Sequence, residues 1–332
     1  ANTALRASSD TGTTNDSRPL APADEHRCFF MIYLIAGVCD GYCGHCAAQK
    51  EAIYMANKSI QEERLDYLLK SFKAEAPEYR RVSIPSDIES KQRMLRSLMN
   101  VRMPGPASTE VLSVQDSYLK GRALEKGIVN VRDIETVSES LGSGHPFADH
   151  ISIWQGDITR IAADAIVNAA NSQMLGCFIP LHSCIDNCIH TYAGVQLRDE
   201  CSRRMNSLRL RFGEYYEQPT AVPMLTDAYN LPAKKVIHIV GPIVQYELTA
   251  ELEEELAGCY RNVLDTCREN ELKSAAFCCI STGVFRFPGR RAAEIAVQTV
   301  TEWLAANPGC IERVIFNVFK DEDKRFYEEQ LQ

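Results

Sequence analysis

The sequence predicts an α/β fold over its C-terminal half, from about residue 147, preceded by a small all-α unit, and three observations carry that prediction. From Ile151 onward, short β-branched runs alternate with amphipathic helical stretches, the texture of a sheet flanked by helices. Between about 28 and 140 the apolar residues fall instead at helical spacing, as in Leu65, Leu68, Leu69 and Phe72 and again in Met94, Leu95, Leu98 and Met99. The length of 332 residues also exceeds one typical core, since domains run to roughly 100–200 residues each.

Residues 1–27, rich in Ser, Thr, Ala and Pro without periodicity, read as a flexible tail, a cloning remnant or a processed targeting segment. The helical unit, 28–140, is punctuated by Pro104 and Pro106 and leads through Gly142-Ser-Gly-His-Pro146 into the α/β part, 147–332. Strands are predicted at 151–155, 164–168, 220–225, 235–241, 274–281 and 312–318, and helices near 184–203, 251–270, 289–306 and 321–331. In the first of these helices Ile185, Ile189, Ala193 and Leu197 recur every four residues and form one buried stripe.

Composition narrows the function classes. Hydrophobic residues at 45% and charged residues at 24% give the balance of a soluble globular chain. A formal charge of −8 argues against a nucleic-acid surface, which draws on clustered Lys and Arg. It leaves room for a nucleotide-like ligand, because one diphosphate can be held by backbone amides. The apolar run Phe29–Val38 falls short of the ~20 residues a membrane helix needs. Thirteen cysteines, an odd number with Cys278 and Cys279 adjacent in an apolar run, argue against a full disulfide framework and for a reducing compartment such as the cytoplasm. Targeting to an organelle by the tail stays open.

In open α/β sheets the ligand crevice lies where strands run into loops. Three such places stand out, Gln155-Gly-Asp-Ile158, Val167-Asn-Ala-Ala-Asn171 and Ile280-Ser-Thr-Gly-Val-Phe285. A carboxylate can accept from an amino group, and glycine lets backbone amides approach a phosphate closely. Taken singly, each is an ordinary turn. A fourth segment, Leu175-Gly-Cys-Phe-Ile-Pro-Leu-His-Ser-Cys-Ile-Asp-Asn187, sets Cys177, His182 and Cys184 at C-x4-H-x-C spacing, with Pro180 stiffening the loop. Two thiolates and an imidazole suit Zn²⁺, and three ligands leave a fourth position open, as catalytic zinc sites do. The alternatives are three unligated loop residues, or a structural metal completed by a further ligand such as Cys188.

Together the three strand-end segments resemble a macrodomain, and the resemblance continues through Asn230-Leu-Pro-Ala-Lys-Lys-Val-Ile-His-Ile-Val-Gly-Pro242 to the C terminus. It implies a three-layer α/β/α fold with a mixed central sheet that binds ADP-ribose. On that pattern Asp157, with Ile158, meets the adenine amine, Asn171 the distal ribose, and Ser281, Thr282, Gly283, Val284 and Phe285 the diphosphate. MacroD-type hydrolases carry a run of glycines where this chain has its Cys and His residues. The replacement resembles the zinc-dependent macrodomain family, hydrolases that remove mono-ADP-ribose from proteins, and Gln92–Arg102 resembles the helical extension preceding their fold.

That resemblance implies one Zn²⁺ on Cys177, His182 and Cys184, acting as Lewis acid and template toward the distal ribose or an attacking water. Asn171 would orient the ribose, and Asp186, matching the helix-start Asp of MacroD-type enzymes, would be general base or electrostatic partner. An Asp at a helix start is also a common N-terminal cap. The implied partners are ADP-ribose and a mono-ADP-ribosylated protein, with a sirtuin-like ADP-ribosyltransferase and a lipoyl carrier protein in some systems. Competing functions are a reader that binds ADP-ribose without cleavage and an O-acetyl-ADP-ribose deacetylase.

His190 and His238 read as packed or surface histidines, and Arg286 is left unassigned. Cys39-Asp-Gly-Tyr-Cys-Gly-His-Cys46 has the C-x3-C-x2-C spacing of radical iron–sulfur enzymes, but no barrel of repeated strands accompanies it. A second structural zinc on Cys39, Cys43, Cys46 or His45 is the competing reading.

Overall fold

The computed structural model describes residues 44–332, with side chains from 57 on. The 1–27 tail, Cys39 and Cys43 lie outside the described residues, as do the side chains of His45 and Cys46. Lys58–Gln332 form one compact unit.

Three helices come first: α1 (Gly44–Glu75), α2 (Ile88–Val101) and α3 (Thr109–Lys126). The last two start on side-chain caps, Asp87 accepting from the Ser90 amide at 2.8 Å and Ser108 from the Val111 amide at 3.2 Å; such a cap contributes about 1 kcal/mol. Leu65, Leu68, Leu69 and Phe72 of α1 meet Met94, Leu95, Leu98 and Met99 of α2 in one apolar cluster, as their helical spacing predicts. Val195 also belongs to this cluster, so the helices pack onto the α/β part rather than standing apart from it.

A two-residue strand β1 (Val129–Asn130) pairs with β3 (Ile161–Ala162), and between them lie the short helix α4 (Val137–Leu141) and β2 (Ile151–Gln155). The main sheet adds β4 (Ala165–Ala170), β5 (Met224–Asp227), β6 (Lys235–Val240), β7 (Ser274–Phe277) and β8 (Arg313–Val318), in the order β2-β8-β7-β4-β6-β5. All neighbours are parallel except β5 and β6, so the sheet is mixed. β4 and β6 read Ala-Ile-Val-Asn-Ala-Ala and Lys-Val-Ile-His-Ile-Val, nearly continuous apolar runs because helices cover both faces. Helices α5 (Ile185–Ala193) and α6 (Val195–Phe212) pack together against β4 and β5. Helices α7 (Ala250–Glu269), α8 (Gly289–Ala306) and α9 (Asp321–Leu331) pack together in the other layer.

Of the predicted boundaries that move, three do so for a backbone reason. The helix expected over 184–203 is two helices, broken at Gly194 with φ 97°, where a Cβ would also lie 2.6 Å from the Gln115 amide nitrogen. The stripe bridges the break, with Ile189, Ala193 and Leu197 buried and Ile185 partly so. The strand expected from 220 starts at Met224, since Ala221 sits at φ 61° and cannot be extended. The strand expected to reach 281 stops at Phe277, and Ser281 turns the chain at φ 64°.

Candidate active site at the strand ends

Because β2, β8, β7, β4 and β6 run parallel, their C-terminal ends share one side of the sheet, where such folds open their ligand crevice. Asp157 follows β2, Asn171 follows β4, and Ser281–Phe285 follow β7. The strands β4 and β7 are neighbours, so the last two segments emerge side by side.

The loop between β4 and α5 carries the nitrogen and sulfur group. Gly176, at φ 78°, lets the chain turn immediately before Cys177; a Cβ there would also lie 2.7 Å from Cγ of His190. The ligand atoms of Cys177, His182 and Cys184 all lie within 4.8 Å of one another. Cys177 Sγ is 3.5 Å from His182 Nδ1. With Zn–S near 2.3 Å and Zn–N near 2.0–2.1 Å, a tetrahedral edge between them measures about 3.6 Å, so the spacing fits. Cys184 is the N-cap of α5, its sulfur accepting from the Asn187 amide at 3.4 Å, a position that favours a thiolate. Burial pushes the Cys184 thiol up to about 12, the Asn187 amide opposing it and Cys177 and Asp186 adding to it. A divalent cation would compensate this crowding of donors, and the group is half-buried and open to one. The described residues therefore include a Cys/His group able to hold a metal.

Asp186 sits in the first turn of α5, two residues after Cys184, and is 5% exposed. It is not the helix cap; Cys184 is. Its Oδ1 accepts from Asn168 Nδ2 at 2.8 Å and its Oδ2 from Asn171 Nδ2 at 3.3 Å. Burial pushes this carboxyl up to about 6, with Asn168, Arg198 and Asn171 resisting. Asn171 also donates to Gly176 O at 3.3 Å and accepts from the Gln173 amide at 3.0 Å, tying the end of β4 to the metal loop. Sequence reasoning passed over Asn168, which is fully buried in β4 and bridges Asp186 to His238 Nδ1 at 3.0 Å. A polar residue inside an apolar strand was the available signal, because a buried amide needs partners.

At the β2 end, Asp157 Oδ1 accepts from the amide and hydroxyl of Thr159 at 3.0 and 2.6 Å, and Oδ2 pairs with Lys126 Nζ at 3.0 Å. Burial pulls its carboxyl upward, but Thr159 and Lys126 outweigh that and hold it below the usual carboxylate value. It is therefore an ionised acceptor. Lys126 also lies 3.2 Å from the Tyr192 ring centroid, and no local signal marked it in the sequence. The side chain of Ile158 is packed in the core at 1% exposure, which leaves its backbone as the part a ligand can meet.

The loop after β7 is shaped by its own backbone. The Phe287 amide donates to Ser281 O at 3.0 Å, the Arg286 amide to Gly283 O at 3.1 Å, and Thr282 Oγ1 to Cys279 O at 3.1 Å. Phe285 O accepts from the Val244 amide at 2.9 Å. Ser281 adopts φ 64° and buries a hydroxyl without a partner, two features that cluster where ligands bind. Gly283 has nothing within 4 Å of where a Cβ would project, and Val284 is 72% exposed, so the tip of the loop is open.

An open, mixed α/β sheet with a strained loop, a carboxylate and a buried Asn–Asp pair gathered at its strand ends is the arrangement of an α/β ligand-binding module. The Macro domain family model matches residues 167–296. The chain is 46% identical to a protein-ADP-ribose hydrolase of Treponema medium, over 80% of this chain and 97% of that one. It is 40% identical to a protein-ADP-ribose hydrolase of Staphylococcus aureus strain MRSA252, over 83% and 97%. Among solved structures it is similar to the Trypanosoma brucei macrodomain in complex with ADP-ribose, with a TM-score of 0.52 and 27% identity over 71% of this chain and 95% of that one. The chain belongs to the macro domain family. Among the described residues no helix is long and apolar enough to cross a membrane.

Proposed function

We propose that the protein is a hydrolase that releases mono-ADP-ribose from modified proteins at a site where Cys177, His182 and Cys184 hold a zinc ion. The observation that carries this reading is the placement of an open nitrogen–sulfur triad on the loop that Asn171, itself bonded to Asp186, ties to the end of β4. The hydrolase names of relatives that match nearly end to end support it. Held on Cys177, His182 and Cys184, zinc would supply Lewis-acid polarisation.

The remaining steps belong to the chain itself. Asp157, ionised and partly exposed, accepts from the adenine amine in competition with Lys126. The amides around Gly283 and the unpartnered Ser281 hydroxyl receive the diphosphate, which needs little formal positive charge. Asn171 orients the distal ribose against the metal loop, which places C1″ in a defined attitude to Asp186. A water oxygen then bonds to C1″ as the C1″–oxygen bond to the protein side chain breaks. The water proton passes to Asp186, whose raised carboxyl matches a base working near neutrality. When the leaving group is a carboxylate it departs without protonation.

The test pairs metal analysis with a release assay on acid-linked and Ser-linked ADP-ribosylated proteins. Wild type is expected to retain about one zinc per chain, as three protein ligands imply, and to free ADP-ribose, while His182→Ala loses both. Stable binding of the modified protein without release would replace the hydrolase with a reader.

A further inference from the structure

Helix α2 reaches the metal loop with one face. Arg96 Nη2 donates to His182 O at 2.6 Å and to Asn187 Oδ1 at 2.8 Å, and Nε to the same oxygen at 3.3 Å. Asn187 in turn donates to Cys177 O at 3.3 Å and Ile179 O at 3.0 Å. One turn on from Arg96, Asn100 accepts from the Leu181 amide at 3.0 Å and donates to Thr191 Oγ1 at 2.9 Å. Leu181 stands at φ 58°, so its amide is fixed in a conformation the loop would not choose alone.

The same guanidinium has a further neighbour. Arg96 Nη2 lies 3.5 Å from Cys188 Sγ. Cys188 follows Cys184 by one helical turn, its amide bonded to Cys184 O at 3.1 Å, so the two sulfurs project from the same side of α5. It is the next thiol along that helix, and a third thiolate would complete a closed four-ligand site of the structural type. Yet it stands outside the Cys177, His182 and Cys184 group.

We infer that Arg96 is a positioning residue that holds Cys188 away from the metal and so keeps the fourth coordination position free for chemistry. The inference rests on the metal site proposed above. Nε and Nη2 grip Asn187 Oδ1 as a fork while Nη2 also meets the His182 carbonyl and lies against the sulfur, a planar geometry that a lysine ammonium on a flexible stem does not reproduce. Drawing Cys188 onto the metal would strip the guanidinium of that neighbour.

Cobalt(II) loaded into the full chain tests this, because the near-ultraviolet sulfur-to-cobalt absorption counts bound thiolates. Wild type is expected to show two, and Arg96→Met three, an intensity per cobalt about 1.5-fold higher in proportion to the thiolates bound. Turnover of Arg96→Met should fall at least about tenfold, as expected when an open catalytic position is closed. The double variant Arg96→Met with Cys188→Ser should return to two thiolates, and Cys188→Ser alone should match wild type. A two-thiolate or cobalt-free Arg96→Met overturns the inference. So does a loss of intensity in Cys188→Ser, which decides the matter even if Arg96→Met fails to fold. Failure of wild type itself to take up cobalt would remove the underlying metal site, a result distinct from the others.

Discussion

Among the described residues, two groups of three nitrogen and sulfur ligands each have their ligand atoms within 4.8 Å, yet their surroundings differ. Cys177, His182 and Cys184 are half-buried on a loop, one of them capping a helix. His190, Cys201 and His238 are buried between α5, α6 and β6. In the second group His238 is already engaged, Nδ1 lying 3.0 Å from Asn168 Nδ2 and Nε2 3.0 Å from Thr226 Oγ1, with Cys201 Sγ at 3.8 Å. Burial drives the His238 imidazole down to about 3 and the Cys201 thiol well above its ordinary value. Proximity alone therefore does not make a metal site. The ligand atoms must also be reachable by an ion from water, and the half-buried group meets that condition while the fully buried one does not.

The largest expected effect separates the two groups. Cys184→Ala should lose its metal on dialysis and reduce turnover by roughly 10²-fold or more, the scale of removing a main electrostatic contributor. Cys201→Ala should keep both metal and turnover and lower stability by about 1–2 kcal/mol, from the small cavity it leaves. Release of a metal equivalent by Cys201→Ala would break the comparison, because the buried group would then be a site as well.

The next effect concerns Asp186, which stands between the groups, 3.6 Å from His190 Nε2 on one side and hydrogen-bonded to Asn171 on the other. Asp186→Ala should retain metal and lose about 10²–10³-fold in turnover if the carboxylate is the base. Near-normal turnover would take Asp186 out of the mechanism and leave its buried contacts as structural.

What could be read from the sequence follows from how local each feature is. The metal triad spans eight residues of one loop, so its spacing marked it, whereas the strand-end segments, ordinary turns when taken singly, drew their ligand roles from the resemblance to a macrodomain. The helices α7, α8 and α9 were visible because their apolar stripes are periodic. Arg96, Asn100 and Lys126 were not, since their partners lie from 31 to 91 residues away and helical periodicity records burial, not hydrogen-bond partners. Asn187 was quoted as the end of a motif, but its bonds to two loop carbonyls appear only once the loop is folded. The Gly194 break was hidden because the apolar stripe runs through it with unbroken spacing.

The smallest effect comes from the opposite end of β4 and sharpens the contrast between carboxylates. Asp164 precedes that strand, where Oδ2 accepts from the Lys273 and Ser274 amides at 2.8 and 3.0 Å and Oδ1 pairs with Lys234 at 2.6 Å. Against the pull of burial, the Lys234 ammonium and those two amides hold its carboxyl below the ordinary 3.8. A carboxylate depressed in the folded state stabilises the fold above its unfolded value, and that contribution fades as pH falls through the folded value. Asp164→Asn should therefore cost about 1 kcal/mol near pH 7, a modest figure because Lys234 is largely exposed. Denaturant melts at descending pH should show the gap closing below about pH 4, near the unfolded carboxylate value, with metal content and turnover unchanged. A gap that widens in acid would mean that Asp164 is not stabilised in its ionised form. A loss of turnover would mean that the N-terminal end of β4 shapes the site, and that the division between a working strand end and a supporting one is drawn in the wrong place.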